Sequence, residues 1–432
     1  MTPLVMVTRH GGPAPALVAL LAALVGLGQF ASNIYIPSMP ALAAALGVTM
    51  SAVQATLAVF LATFAVFQLV CGPLSDRFGR RRVLLVGMLT FIVGTVICAV
   101  APDLATLIGG RILQGAGASA AFVVSRAITR DLFTGNDLAR VTALILMVFA
   151  LVPGLTPLFG GLLQEWTGWR STFGAAAVFG IVIFACVLRL GETNRMMAAD
   201  IDVAGIRAAY ARVLCSRAFL QCAVSSSLAF AGLSAFFAGS PDVYISRLGV
   251  SPIEYGLYPP LTLTGYVVGG MLTRRLVGTV STMAIGGLGL ALILLATLAI
   301  AAFPVAGILN KHAFTGSMIM FVTGLGIFMP TAVAVALTPF AGIAGSASAM
   351  LGFMQTAGCA LGAFAVCALL GPFAELAFPL VMAAGALAAA VAFVCLQPPA
   401  PSRPMTLDGE GSGMDDLRTT TRSSPSPLPK GR

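Results

Sequence analysis

Arg111 is the residue of this sequence whose placement most needs a chemical reason. It stands in the run Gly109-Gly110-Arg111-Ile-Leu-Gln114-Gly115-Ala-Gly117, inside an apolar stretch bounded by Asp103 and Arg126. A charge within a membrane-length apolar segment is costly and marks a functional site by default. Gln114 lies three residues on, close enough on a helix to share its face. The glycines let a neighbouring backbone come near. The bland alternative is a side chain whose stem lies in lipid while its head reaches the interface, because Asp103 is only about two turns away.

Carboxylates are scarce. The chain has 15 Asp and Glu among 432 residues, and none falls deep within an apolar run. Asp103, Glu165, Asp242, Glu254 and Glu375 flank such runs on one side, and the rest lie on the other. The two histidines, His10 and His312, also lie outside the runs. No Walker A loop, HExxH or GxSxG occurs, and no His/Cys cluster exists to hold a metal. An enzyme, a cofactor and a metal site are therefore not expected, nor is transport driven by ATP. The eight cysteines include no CxxC pair and read as small buried hydrophobes.

The remaining polar groups at membrane depth are amides and hydroxyls. Gln29 and Asn33 are one turn apart and share a helix face. With Tyr35, Gln54, Tyr258, Thr262, Tyr266 and Gln355 they form a candidate substrate cavity, sparsely polar and otherwise apolar. Gln68, Ser225 and Ser226 are further intramembrane polar residues. Each alone could equally be interhelical glue worth roughly 1 kcal/mol. As a set, with Phe60, Phe64, Phe67, Phe236 and Phe237, they suit amphipathic solutes better than sugars or strongly charged metabolites. Pro153-Gly154-Leu-Thr156-Pro157-Leu-Phe-Gly160-Gly161 is a candidate hinge: two prolines four apart leave carbonyls unpaired and bend a helix, and paired glycines allow close packing.

These residues need elements to position them. Of the 432 residues 58% are hydrophobic and 9% charged, against about 25% charged in soluble domains. The long apolar runs do not alternate, so membrane-spanning helices are expected rather than a barrel. Charge clusters and turn residues divide the chain into twelve spans near 16–38, 50–72, 82–101, 104–126, 140–163, 170–190, 217–240, 252–273, 281–303, 312–336, 344–370 and 374–396. On that count 20 of the 24 Lys and Arg fall on one side and three on the other, with Arg111 inside. Such a bias puts both termini in the cytoplasm and reads the net charge of +9 as topology, not nucleic-acid binding. The expected organisation is a leader (1–15), a six-helix bundle (16–190), a basic cytoplasmic loop (191–216), a second six-helix bundle (217–396) and a disordered tail (397–432). Gly72 with Asp76 and Arg77, echoed by Gly269 with Thr273 and Arg274, suggests two repeats around a central cavity.

Between the second and third spans stands Gly72-Pro-Leu-Ser-Asp76-Arg77-Phe-Gly79-Arg80-Arg81-Arg82, read as a tight turn with glycine corners held by arginines. This stretch resembles the G-x-x-x-D-R-x-G-R-R/K signature of the major facilitator superfamily. Arg111, Gln114 and Gly115 resemble that superfamily's R-x-x-Q-G motif, and the Pro153–Gly161 stretch its proline-glycine motif with Thr156 in place of Gly. Ser32–Pro40, Ser125–Phe133, Gly239-Ser240-Pro241, Gly324–Pro330 and Ala341–Gln355 resemble the Bcr/CflA branch of 12-span drug:proton antiporters.

The resemblance implies an all-α membrane fold of two pseudo-symmetric six-helix bundles. It implies export of hydrophobic or amphipathic small molecules by alternating access in a bacterial inner membrane, in exchange for protons. It gives Arg111 and Gln114 a proton-transfer or gating role. Gly72, Asp76, Arg77, Gly79, Arg80 and Arg126 become parts of a cytoplasmic latch, and Pro153, Pro157, Gly160 and Gly161 a hinge. The expected partners are a small-molecule substrate, protons and the bilayer, with the chain a monomer. One departure bears on coupling. The branch carries an acidic residue in a D-x-Y-x-P pattern where this chain has Asn33-Ile-Tyr35-Ile-Pro37. An amide cannot titrate, so the proton passes through another carboxylate such as Glu375, Asp103 or Glu254, or the carrier is a proton-independent facilitator or importer. A non-transporting receptor or scaffold is the remote alternative.

Overall fold

The computed structural model of the chain describes residues 14–194, 203–308, 310–370 and 376–397. Most of the leader, part of the central loop, residues 371–375 with Glu375 and the tail from 398 lie outside them. The described residues are almost wholly helical, with one isolated bridge between Val277 and Val280 and no longer strand. The helices are α1 (Pro15–Asn33), α2 (Met39–Leu46), α3 (Met50–Phe78), α4 (Arg80–Val100), α5 (Leu104–Leu132), α6 (Gly135–Thr167), α7 (Trp169–Leu188), α8 (Val203–Leu214), α9 (Arg217–Pro241), α10 (Pro252–Leu276), α11 (Thr282–Val305), α12 (Lys311–Leu337), α13 (Ala344–Leu370) and α14 (Ala377–Cys395).

Eleven helical stretches are long and apolar enough to cross a membrane, with α1 and α2 forming one of them. The twelfth span is α10. Its 25 residues exceed the roughly 20 a bilayer needs. Its Pro, Tyr, Thr and Gly lower its hydropathy, and it packs against α6 and α12. The chain is thus a multi-pass membrane protein. Its helix ends are closed by short polar caps: Thr49, Asp103, Ser216, Ser251 and Ser281 each accept a hydrogen bond from the backbone N–H three residues on.

Three boundaries differ from the sequence expectation. The α-helix of the first span breaks after Asn33, inside the expected 16–38, and a 3₁₀ turn over Ile36–Ser38 leads into α2, which continues the span to Leu46. Pro37 disfavours helical geometry in the residue before it and cannot donate to the ladder. The second span continues through Phe78, so Gly72 lies within a helix rather than at a turn. Gly79 alone, at φ 92°, makes the corner between α3 and α4. The described part of the basic loop after α7 contains the helix α8, where Val213 is fully buried and Ile206 and Tyr210 are half-buried on the same face. Spacing of i, i+4 and i+7 supplies that stripe.

Two apolar cores result. One draws only on α1 and α3–α7 and their flanks, with Leu17, Leu24, Phe60, Phe91 and Val187 at its centre. The other unites α9–α14 and crosses to Tyr35, Leu42, Val53, Leu57 and Phe173. That crossing lies at the end of the helices opposite the arginines. The two halves are therefore sealed there by shared apolar burial.

Candidate functional site

Small residues bring α4 and α5 together. A Cβ on Gly94 would lie 2.5 Å from the Gln114 nitrogen, and one on Gly110 would lie 2.9 Å from the Gly94 carbonyl oxygen. This contact places Thr95 of α4 beside α5, where its hydroxyl accepts from Gln114 Nε2 at 2.9 Å. Gln114 Oε1 in turn accepts from Arg111 Nη1 at 2.6 Å, and Ala31 O lies 3.4 Å from the same nitrogen.

Arg111 is fully buried, so its head does not reach an interface. Its guanidinium carbon stands 4.0 Å from the ring centre of Tyr35, 5.0 Å from Phe60 and 5.4 Å from Phe173. No carboxylate pairs with it among the described residues. Nε and Nη2 have no hydrogen-bond partner there either. Three aromatic faces take the place of a counter-ion, and desolvated cation–π contacts contribute about 2 kcal/mol or more each. Tyr35, expected in the cavity, belongs to this box: it is fully buried, and its hydroxyl lies 3.3 Å from Thr56 Oγ1.

At the arginine-rich end the Asp76–Arg82 segment ties four helices of the first half. Arg80 Nη1 pairs with Asp76 Oδ1 at 2.5 Å and donates to Ser75 Oγ at 2.6 Å; Arg80 Nε pairs with Asp131 Oδ2 at 3.0 Å. Glu192, just past α7, accepts from the backbone N–H groups of Arg80 (2.8 Å) and Arg81 (3.1 Å). That carboxylate satisfies the exposed donors at the start of α4 and complements its positive end. The Arg77 guanidinium lies over the Phe78 ring at 5.3 Å. Arg126, grouped with this set from the sequence, sits elsewhere. Its Nη2 donates across to Ser348 Oγ of α13 at 2.8 Å. Gln68 Nε2 makes a second cross-half bond, to Thr356 Oγ1 at 3.0 Å.

At the opposite end α6 packs against α10. A Cβ on Gly256 would lie 2.7 Å from the Pro157 carbonyl oxygen, and one on Gly161 would overlap the Pro252 carbonyl. One on Gly160 would overlap the Ile34 carbonyl at the end of α1. α6 remains a continuous helix through Pro153 and Pro157. Thr156 Oγ1 donates to Val152 O at 2.6 Å. Of the candidate hinge residues, Pro157 and Gly161 therefore form the contact surface of this seal, Gly160 packs on the end of α1, and Pro153 faces the cavity. Glu254 sits nearby, accepting from Lys311 Nζ at 2.6 Å and from the Tyr258 hydroxyl at 2.8 Å. Asp103 caps α5 through the Thr106 N–H at 2.8 Å, and that bond holds its carboxyl below the usual carboxylate range.

Between the two seals lies a cavity of about 190 Å³ lined by both halves. α1 contributes Gln29, Ser32 and Asn33; α6 contributes Phe149, Pro153 and Gly154; α9, α10, α12 and α13 close the other side. No acidic or basic side chain lines it. Of the residues expected there, Gln29, Asn33, Thr262 and Tyr266 line it, whereas Tyr35, Gln54, Tyr258 and Gln355 do not. Gln54 is fully buried with both amide atoms unpartnered among the described residues. Gln355 donates to Ser226 Oγ at 3.3 Å and is interhelical glue. Ser234 and Cys359 were not foreseen, since an isolated small polar residue in an apolar helix has no periodic signal.

Comparison with known proteins places these features in context. The sequence profile described as Major Facilitator Superfamily matches residues 18–363. Multidrug resistance protein D of Escherichia coli (strain K12) is 31% identical over 349 residues, covering 79% of this chain and 86% of that protein. The chloramphenicol resistance protein of Pseudomonas aeruginosa is 29% identical over 341 residues, covering 78% and 80%. The crystal structure of a D-xylose-proton symporter superposes with a TM-score of 0.70 at 17% identity, over 89% of this chain and 97% of that one, a likeness of fold alone.

Proposed function

The chain belongs to the Major Facilitator Superfamily, a family of membrane transporters, and on that premise we propose that it exports hydrophobic or amphipathic small molecules by alternating access. The observation that carries this reading is the cavity between two halves that touch at both ends, apolar but for a few amides and hydroxyls. Opening either seal alone exposes that cavity to one side. The names of the two relatives, a multidrug and a chloramphenicol resistance protein, agree with efflux of drug-like solutes. The arginine-rich end faces the cytoplasm of a bacterium and both termini lie there, by the positive-inside rule.

Export runs in exchange for protons. The proton is carried by a carboxylate outside the cavity lining, because Asn33 cannot titrate. Glu254 is suited by its place on α10, above Tyr258, Thr262 and Tyr266 at successive i,i+4 positions, and by its bonds to Tyr258 and Lys311. Asp103, committed to capping α5, is a poorer candidate, and Glu375 lies outside the described residues. Arg111 with Gln114 acts as the gating pair, and the Asp76–Arg80–Asp131 network as the latch of the cytoplasmic end.

A second reading has one observation in its favour: no carboxylate lines the cavity, which suits a proton-independent facilitator. Drug flux in inside-out proteoliposomes, with and without an acid-inside gradient, separates the two. Uptake that rises with the gradient supports exchange, and flux indifferent to it supports facilitation. Absence of flux across a broad neutral and amphipathic panel would overturn export.

A further inference from the structure

One turn of α1 builds a polar patch of the cavity, and its hydrogen bonds fix which way each amide points. Asn33 Nδ2 lies 2.7 Å from the Gln29 carbonyl oxygen, 3.1 Å from Ser32 Oγ and 3.3 Å from Gln29 Oε1. A backbone carbonyl only accepts, so the atom facing it is the amide nitrogen, and Asn33 Oδ1 is turned away from its own helix. The same logic orients Gln29. Its Oε1 shares the two Asn33 N–H hydrogens with the Gln29 carbonyl and Ser32 Oγ as the longest of the three contacts, and a reversed amide would set nitrogen against nitrogen at 3.3 Å, so Nε2 is left over. Neither Asn33 Oδ1 nor Gln29 Nε2 has a hydrogen-bond partner among the described residues, and both residues line the cavity. Across the space stand Ser234 and Tyr266, whose hydroxyls likewise carry no hydrogen bond among the described residues.

Charge on this turn is one-sided. Behind it, Ala31 O is 3.4 Å from the buried Arg111 guanidinium. A permanent cation entering the cavity would lose its hydration, meet no carboxylate and approach an arginine. A neutral solute avoids all three costs.

Building on the export reading above, we propose that Gln29 and Asn33 form a recognition subsite for an uncharged solute. The solute carries a group that both donates and accepts a hydrogen bond: a hydroxyl, a primary carboxamide or a lactam. The donor of Gln29 meets its acceptor and the acceptor of Asn33 meets its donor, while its apolar body lies among Phe149, Phe230 and Phe237. Organic cations are rejected.

Equilibrium binding to the purified full chain in nanodiscs tests this, with chloramphenicol as the neutral hydroxyl-bearing probe and tetraphenylphosphonium as the cation. Wild type should bind chloramphenicol at least about tenfold more tightly than tetraphenylphosphonium. Asn33→Leu and Gln29→Leu should each weaken chloramphenicol about twofold to tenfold, the loss of one hydrogen bond. Equal affinity for the cation in wild type would overturn the proposal without any variant having to fold. So would unchanged chloramphenicol binding in a folded variant. In either case export itself stands. Binding of neither probe would overturn the subsite as well, and export falls with it only if the broad panel in proteoliposomes also shows no flux.

Discussion

Gly256→Ala tests whether the α6–α10 contact is a seal that opens or merely packing. The new methyl would stand 2.7 Å from the Pro157 carbonyl oxygen and 2.8 Å from Leu158 Cα. Ordinary van der Waals contact begins near 3.4 Å, so α10 must retreat from α6 by 0.7 Å. Overpacking on this scale costs about 1–3 kcal/mol. If the strain is relieved by parting the two halves, that energy shifts the closed-to-open ratio about 5-fold to 150-fold. Cys359 is a native reporter, because it is the cysteine among the cavity-lining residues. With the other cysteines replaced, its labelling by a membrane-impermeant thiol reagent applied from the seal side should speed up by at least about 5-fold in Gly256→Ala. Its thermal midpoint should change little. Gly160→Ala is the contrast, since its methyl would meet Ile34 within the same half and no opening relieves it. That variant should lose thermal stability without a gain in labelling. The seal argument fails if Gly256→Ala labels at the wild-type rate while its midpoint drops.

Three further outcomes are expected. Arg111→Ala should abolish export while the protein stays folded in the membrane, and Arg111→Lys should lower it at least about tenfold, because an ammonium keeps the charge but not the planar face stacked on Tyr35; wild-type flux in either would remove the gating role. Gln68→Leu combined with Ser348→Ala removes the two hydrogen bonds that join the halves among the described residues at the arginine-rich end, worth about 0.5–1.5 kcal/mol each; cysteine labelling from that end should rise, and an unchanged rate would show that these two bonds do not hold it closed. Asp103→Asn keeps a cap but loses the charge. Since the folded carboxyl titrates below its unfolded value, its contribution is full above about pH 4 and is lost as pH falls further. The wild-type lead in thermal midpoint over Asp103→Asn should therefore shrink from pH 7 to pH 3.5, and a constant difference would contradict the linkage.

The fold class was legible because the bilayer leaves so few solutions. Long apolar runs with polar punctuation can only be helices, and the arginine bias supports their count; even α10, too polar to pass on hydropathy, was legible from the charge clusters and turn residues that bound it. Local chemistry was legible wherever it lies along one helix: Arg111 with Gln114, Gln29 with Asn33, and Asp76 with Arg80 are three or four residues apart. The tertiary structure decided everything that pairs across helices. It moved Tyr35 from the cavity to the Arg111 box, separated Arg126 from the latch, and recruited Asp131 and Glu192 to it. It also turned the glycines after Pro157 into a contact with α1 and α10. A sequence states the spacing along one helix, which fixes what shares a face. Which face meets which neighbour depends on the rotation and crossing of whole helices, set by the sum of many weak packing contacts that no single motif encodes.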